Sequence, residues 1–150
     1  MMIPTFLQDD IVEKLKNLFS EYRSFNVEEV ELNIYPQYLP AKLNQKDLTH
    51  YPFILVRLEN GEDDGEENST RITFMIGIYN DKDTYQGHKD VINILQKIYQ
   101  FLATKRYISN CEVKFPISWT FNDDDTYPFY FGGLDTNWIC GKVIQDQNLI

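Results

Sequence analysis

Acidic, basic and hydroxyl side chains are most densely mixed in residues 77–90, which read GIYNDKDTYQGHKD. A histidine that is oriented by a carboxylate can act as a general base, and His88 is the candidate here. The carboxylates that could orient it are Asp81, Asp83 and Asp90. Such a site also needs a nucleophile or a metal, yet the sequence has no G-x-S-x-G element and neither cysteine lies in a known nucleophile motif. We therefore predict no catalytic residue in this segment.

The same segment has a simpler interpretation as the junction between a strand and a helix. Residues 80–83 turn the chain out of the strand, and Gly87 relaxes the entry into the helix. Asp90 falls in the first helical turn, where a carboxylate interacts favourably with the positive end of the helix dipole. The rival hypothesis is metal-dependent hydrolysis at a site formed by Asp81, Asp83 and Asp90, and it requires those three side chains to converge.

Two acidic stretches are the next candidates for a site. They contain Glu62, Asp63, Asp64, Glu66 and Glu67, and then Asp123, Asp124 and Asp125. Aligning Gly65 with the invariant glycine of a calcium-binding EF-hand loop places Arg71 where a bidentate Glu is needed, and no helix precedes the loop. Charged runs of this kind are usually solvated. We therefore predict a loop over residues 60–69 and a turn over residues 122–126, and we expect no metal and no cofactor.

Composition excludes several classes of function. The 150 residues suggest a single domain over residues 1–150. A net charge of -9 argues against holding nucleic acid, because phosphate affinity comes from Lys and Arg. The apolar runs are too short to span a membrane, and the first residues lack the pattern of a secretory signal. We therefore expect a protein kept in a cytoplasm, with Cys111 and Cys140 as buried reduced thiols.

Apolar periodicity predicts the elements that position these residues. Helical spacing is present over residues 9–22 and 88–102, and Asp9 or Asp10 is the predicted cap of the first helix. Strands are predicted over residues 30–35, 53–59, 70–79, 111–115, 117–121 and 129–144. The second and third strands form an antiparallel hairpin around the first acidic loop.

Gly132, Gly133 and Gly141 are expected to mark bulges or bends near the C-terminus. The order of elements is helix, strand, hairpin, helix and further strands. This order predicts an α+β fold, in which two main helices pack on one face of a mainly antiparallel sheet.

The C-terminal part of the chain is rich in aromatic side chains, which could stack on nucleic-acid bases. They are Phe115, Trp119, Phe121, Tyr127, Phe129, Tyr130, Phe131 and Trp138. A nucleic-acid groove needs interleaved Lys and Arg, and the chain between Phe115 and Trp138 has neither. We predict core packing and a subunit interface instead.

Three sequence features together resemble the tail terminator or tail completion proteins of long-tailed bacteriophages and prophages. They are the strand ending GIY, the motif QGHKDVINIL and the later motif YPFYFGGLDTNW. The matching positions are Gly77, Gly87, Asp90, Val91, Leu95, Pro128, Tyr130, Gly132 and Trp138. The resemblance runs from about residue 53 to residue 138, and the long acidic loop and the region of Cys140 have no counterpart in it.

The resemblance implies a sheet with helices against it and a closed ring, typically a hexamer, on the end of the tail tube. The implied partners are further copies of the chain, the tail tube protein and a head-completion or connector protein. DNA passes through such a ring without specific binding, and we expect the two acidic loops to line or flank the channel. The implied location is the head-proximal end of the virion tail, after assembly in the host cytoplasm.

Two other functions stay open beside this structural one. A head–tail connector, or another module that binds a protein through its sheet edge, would have the same apolar pattern. The metal-dependent hydrolase described above is the more distant alternative.

Overall fold

The computed structural model describes residues 4–22, 31–42, 44, 47–82, 84–122 and 124–141. The elements in chain order are α1 (Pro4–Leu18), β1 (Asn33–Pro36), β2 (Phe53–Asp63), β3 (Asn68–Tyr79), α2 (His88–Thr104), β4 (Tyr107–Ile108), β5 (Cys111–Phe121) and β6 (Phe129–Cys140). Val30, Asp83, Asp123 and the positions after Gly141, to which predictions were attached, lie outside the described residues.

Six strands form one sheet in the order β1-β2-β3-β6-β5-β4. β1 runs parallel to β2, and the other four neighbouring pairs are antiparallel. The parallel pair is possible because the connection over residues 37–52 is long enough to bring the chain back to the same end of the sheet. The predicted α+β class is confirmed, and the sheet is mixed rather than purely antiparallel.

Both helices lie on the concave side of the sheet. α2 contacts β3, β6 and β5, whereas α1 contacts β1 and β2 near one edge and β4 at the other. The sheet therefore curls around the helix pair and closes one hydrophobic core. No helix among the described residues is long and apolar enough to cross a membrane.

Alternating burial explains why the central strands form where the sequence predicted them. Ile72, Phe74, Ile76 and Ile78 of β3 all point into the core and are buried. On α2, Val91, Ile94, Leu95, Ile98 and Leu102 form the buried stripe. Complete burial of one such side chain stabilises the fold by about 1.5–3 kcal/mol, so these two rows outweigh local propensity.

Helix α1 begins and ends earlier than predicted. Pro4 occupies its first position, where the missing N–H is not needed and the fixed φ suits a helix. Asp9 and Asp10 therefore lie within the helix, and the prediction that one of them caps it is wrong. The Asp10 carboxylate instead accepts a hydrogen bond from the Ser109 hydroxyl and lies 3.2 Å from the Lys14 ammonium.

The hairpin of β2 and β3 extends further into the acidic stretch than predicted. The last strand pair of the hairpin is Asp63 with Asn68. The predicted loop over residues 60–69 is therefore only a turn at residues 64–67. The charged side chains at this end of the hairpin are exposed. They are solvated on both faces of the ribbon, and their charge therefore does not interrupt the backbone ladder.

Strands β5 and β6 differ in their regularity. The register of β5 against β6 shifts between Lys114 and Ser118, which confirms the irregularity predicted near Pro116. β6 pairs with β3 without any shift, so the bulges predicted at Gly132 and Gly133 are wrong. At Gly132 the reason for glycine is the close approach of α2, because a Cβ there would lie 2.6 Å from the Val91 Cγ1 atom.

Cys111 and Cys140 form a disulfide, and the prediction of reduced thiols is wrong. The two residues are register partners on β5 and β6, with their Cα atoms 4.1 Å apart. Their separation of 29 positions in the chain concealed this proximity, because only the antiparallel pairing of the two strands brings them together.

Candidate functional site

The connection between β3 and α2 is the strand-to-helix junction that the sequence predicted, and the turn before β6 holds it in place. The Asn80 N–H donates to the Pro128 carbonyl oxygen at 2.8 Å, and the Tyr127 hydroxyl donates to the Asp81 carbonyl oxygen. The Tyr85 ring stacks on the Tyr127 ring with their centroids 4.1 Å apart. These contacts position backbone, and none of them activates a side chain for chemistry.

The candidate catalytic residues of this connection that the structure describes do not assemble into a site. His88 begins α2, and its ring meets the Phe121 ring edge-on at a centroid distance of 6.3 Å. Asp81 is exposed on the connection, whereas Asp90 is buried with 3% of its surface accessible. Across the described ranges of the chain, no three His, Cys, Asp or Glu side chains are arranged to hold a metal ion.

Asp90 contributes to packing between the two helical segments. The Tyr22 hydroxyl, which follows α1, faces the Asp90 carboxylate. Burial raises the pKa of Tyr22, and the charge of Asp90 raises it further. Both groups are shielded from solvent, which fits a structural role for this carboxylate in the first turn of α2.

Two glycines of the family-like set lie directly beneath aromatic rings. A Cβ on Gly77 would approach the Phe53 ring to 2.2 Å, and a Cβ on Gly87 would approach the Tyr130 ring to 2.3 Å. Gly87 has an ordinary helical conformation, with φ -63 and ψ -23. The prediction that glycine relaxes the helix entry is therefore wrong. Glycine is needed at this position because the Tyr130 ring leaves no space for a Cβ atom.

The first and second acidic stretches lie at opposite ends of the sheet. Glu62, Asp63, Asp64, Glu66 and Glu67 surround the turn between β2 and β3, which is next to the C-terminal end of β6. Asp124 and Asp125 precede the other end of β6. Since β6 has 12 residues, the two stretches are roughly 35 Å apart.

The outer edge of β5 is a feature that the fold leaves open. β4 pairs only with Cys111 and Glu112, and on the side away from β6 no described strand lies beside β5 from Lys114 to Phe121. The Asn122 N–H donates to the Phe131 carbonyl oxygen at 3.1 Å, towards β6. Because this direction alternates along a strand, the N–H and C=O groups of Phe121 and Trp119 point away from β6.

Large apolar side chains accompany this open edge. Trp119 is 61% exposed, Phe115 is 49% exposed and Tyr107 on β4 is 70% exposed. A groove of about 310 Å³ runs between α2 and β5, with Tyr99, Ile117 and Trp119 among its walls. An unpaired strand edge can pair with another chain, and exposed aromatic side chains beside it offer apolar area that such a chain would cover.

Charged side chains flank the edge where β4 ends. The Lys114 ammonium lies 2.5 Å from a Glu112 carboxylate oxygen, and this contact, together with a hydrogen bond from Tyr107, lowers the pKa of Glu112. The Arg106 guanidinium lies over the Phe115 ring, 4.9 Å from its centroid. The edge therefore combines apolar area with a polar rim.

The open edge could not have been located from the sequence. The aromatic richness of residues 115–138 did not separate Trp138, which is fully buried, from Trp119, which is exposed. Both lie on strands, but Trp138 is on β6, between β3 and β5, whereas Trp119 is on β5 beside the open edge. No protein-family model matches the chain, and no curated protein matches its sequence.

Proposed function

We propose that the chain is a structural assembly protein, the subunit of a ring that caps the tail tube of a long-tailed phage or prophage and docks the head. The observation that carries this proposal is the open edge of β5 with the exposed side chains of Phe115 and Trp119. A ring requires two different patches on each subunit, and an unpaired strand edge is one such patch.

The packing of the family-like residues supports a fold of the tail terminator kind. Gly77, Gly87 and Gly132 each lie where a neighbouring side chain leaves no space for a Cβ atom. Trp138 is fully buried, and Tyr130 covers Gly87. Gly87 and Gly132 lie where α2 meets the sheet, under Tyr130 and beside Val91, whereas Gly77 lies under Phe53.

The proposed partners are further copies of the chain in a hexameric ring, the tail tube protein and a head-completion or connector protein. DNA passes through the ring without specific binding, in the head-proximal end of the virion tail. An acidic wall suits this passage, because carboxylates release no counterions from DNA. The two acidic stretches lie at opposite ends of the sheet, so in this proposal they flank different levels of the channel.

The test is electron microscopy of tail tubes that are purified from the same phage or prophage and incubated with the protein. We expect a ring of density at one end of each tube and tubes that no longer elongate when tube protein is added. Tubes that stay bare and continue to grow at saturating protein would contradict the proposal.

A second candidate, a module that binds one protein through its sheet edge, has support from the same open edge of β5. The two candidates differ in self-association, because the binding module would stay a monomer both in solution and on its target. Metal-dependent hydrolysis has no supporting geometry among the described residues, since Asp81 is exposed and Asp90 is buried.

A further inference from the structure

A basic groove lies on the surface between the two helices, on the side that faces away from the sheet. It has a volume of about 660 Å³. Lys14, Lys97 and Lys105 line it, and Leu18 and Phe101 form its apolar part. No carboxylate lines it among the residues that the structure describes. In a chain with a net charge of -9, three lysines around one groove form a local exception.

Of the three lysines of this groove, only Lys14 forms an ion pair with a carboxylate of the described chain. Lys14 pairs with Asp10 at 3.2 Å, and Lys97 lies 5.1 Å from the centroid of the Phe19 ring. Within the described ranges, no carboxylate lies at ion-pair distance from Lys97 or Lys105. The groove therefore retains positive charge for an acidic ligand beside apolar surface that such a ligand would cover.

The tip of the β2–β3 hairpin, residues 62–67, has the opposite character. Asp63 and Asp64 are used within the turn, where they accept hydrogen bonds from the N–H groups of Gly65, Glu66 and Glu67 at 2.7–2.9 Å. The side chains of Glu62, Glu66 and Glu67 are exposed. No basic residue occurs in the sequence between Arg57 and Arg71, so no cationic side chain of the tip itself neutralises its carboxylates.

We propose that the acidic hairpin tip of one copy docks into the lysine groove of a second copy. Three glutamates at the tip face three lysines in the groove, and the apolar floor strengthens their attraction by excluding water. The two patches are different parts of the same chain, so the contact is heterologous and propagates from copy to copy. It rests on the proposed self-association and adds two further surfaces to the open edge of β5.

This contact changes the assignment of the two acidic stretches. The hairpin tip becomes part of the subunit interface, and it is covered in the assembled ring. The channel-facing role then falls to the turn that contains Asp124 and Asp125, at the other end of β6.

A charge-swap experiment on the full chain tests the contact. The tip variant is E66K/E67K, the groove variant is K97E/K105E, and the quadruple variant combines them. Sedimentation equilibrium at low salt measures self-association, and circular dichroism establishes that each variant is folded. The matched controls are D124K/D125K for the tip and K42E/K82E for the groove, which change the same charges at exposed positions elsewhere.

We expect each of the two double variants to associate on the order of tenfold more weakly than the wild type, because like charges then face each other. The quadruple variant and an equimolar mixture of the two double variants should regain association, and the controls should behave as the wild type. Zero-length carbodiimide cross-linking of the wild type should join Glu66 or Glu67 to Lys97 or Lys105 of another copy.

Three results would overturn the proposal, and they separate it from the proposed function. If both double variants associate like the wild type, this contact is wrong while self-association stands. If the wild type stays a monomer up to its solubility limit and gives no such cross-link, the contact and self-association in solution both fail. If a labelled DNA duplex binds with dependence on Lys97 and Lys105 and no cross-link between copies forms, the groove belongs to nucleic acid.

Discussion

At the scale of single residues, Thr136 connects two polar groups that have no access to water. Its hydroxyl donates to the Ile72 carbonyl oxygen at 2.7 Å and accepts from the Trp138 indole N–H at 2.9 Å. Replacing Thr136 with Val keeps the shape, removes the acceptor of the buried Trp138 indole N–H and removes one donor to the Ile72 carbonyl oxygen. We expect T136V to lower the free energy of unfolding by about 1–3 kcal/mol, measured by urea denaturation.

The control for this prediction is T136S, which retains the hydroxyl and loses one methyl group. T136S should keep the indole hydrogen bond and be less destabilised than T136V. A T136V protein as stable as the wild type would show that these hydrogen bonds contribute nothing net.

The adjacent glycines of β6 provide a matched pair for steric substitution. A Cβ on Gly132 would meet Val91 Cγ1 at 2.6 Å, whereas the nearest atom to a Cβ on Gly133 is the Phe74 carbonyl oxygen at 3.5 Å. We expect G132A to cost about 1–3 kcal/mol through overpacking against α2. G133A should be neutral or slightly stabilising, because alanine reduces the freedom of the unfolded chain. Thermal melting of the two variants decides this, and equal melting temperatures would contradict it.

Asp10 links the stability of the fold to pH. The hydrogen bond from Ser109 lowers the pKa of Asp10 below its ordinary value of 3.8, and Lys14 contributes in the same direction. A lowered folded pKa means that the ionised carboxylate stabilises the fold above the unfolded value, and that this stabilisation disappears as the pH falls through the folded value. Asp10 is partly exposed, so we expect only about 1 kcal/mol.

The comparison of wild type with D10N measures this contribution directly. D10N should be less stable at pH 7, and the difference between the two proteins should shrink as the pH falls below about 4. S109A should reproduce most of the effect. A difference that stays constant between pH 7 and pH 2 would exclude ionisation as its cause.

At the scale of elements, the disulfide fixes the ends of β5 and β6 against each other. The enclosed chain, with a separation of 29 positions, corresponds to a loop-closure contribution of about 3–4 kcal/mol. We expect reduction of the wild type to lower the free energy of unfolding by that amount, and C111A/C140A by somewhat more because the sulfur atoms are also lost from the core. Thiol titration in denaturant should detect no free thiol before reduction and two afterwards.

Apolar periodicity predicted the helices and strands that bury a continuous row of apolar side chains, and it did not predict the elements that lack such a row. α2 and β3 occur close to their predicted bounds because each presents a continuous apolar row to the core. β4 has two residues, too few for any pattern, and it was missed. The end of the hairpin at residues 60–63 was predicted as a loop, because its charged residues were interpreted as a sign of irregular backbone. These charges show only that both faces of the paired strands are exposed to solvent.

The candidate site was less predictable than the fold. His88, Asp81 and Asp90 do not come together in the structure, and their structural interpretation stays a prediction. The disulfide, the open edge of β5 and the lysine groove depend on which elements become neighbours. Lys14 and Lys97 lie on different helices, and their proximity arises only from the packing of α1 beside α2.

At the scale of the whole molecule, the open edge of β5 is expected to control self-association. Trp119 is 61% exposed, so W119K should change the free energy of unfolding by only about 0.5 kcal/mol. A lysine on an edge strand opposes pairing with another chain. We therefore expect W119K to weaken self-association on the order of tenfold in sedimentation equilibrium. W119Y, which retains an aromatic ring, should associate nearly as the wild type does, and unchanged association of W119K would remove this edge from the interface.

The bond between Cys111 and Cys140 encloses the turn that joins β5 to β6. A protease that cuts the backbone near Asp124 or Asp125 therefore produces two fragments that remain linked through sulfur. The cut protein would migrate as one species on a non-reducing gel and as two species after reductant is added. This turn is accordingly the place to insert a peptide tag or to open new chain ends, because the disulfide still links β6 to β5 when the backbone between them is open.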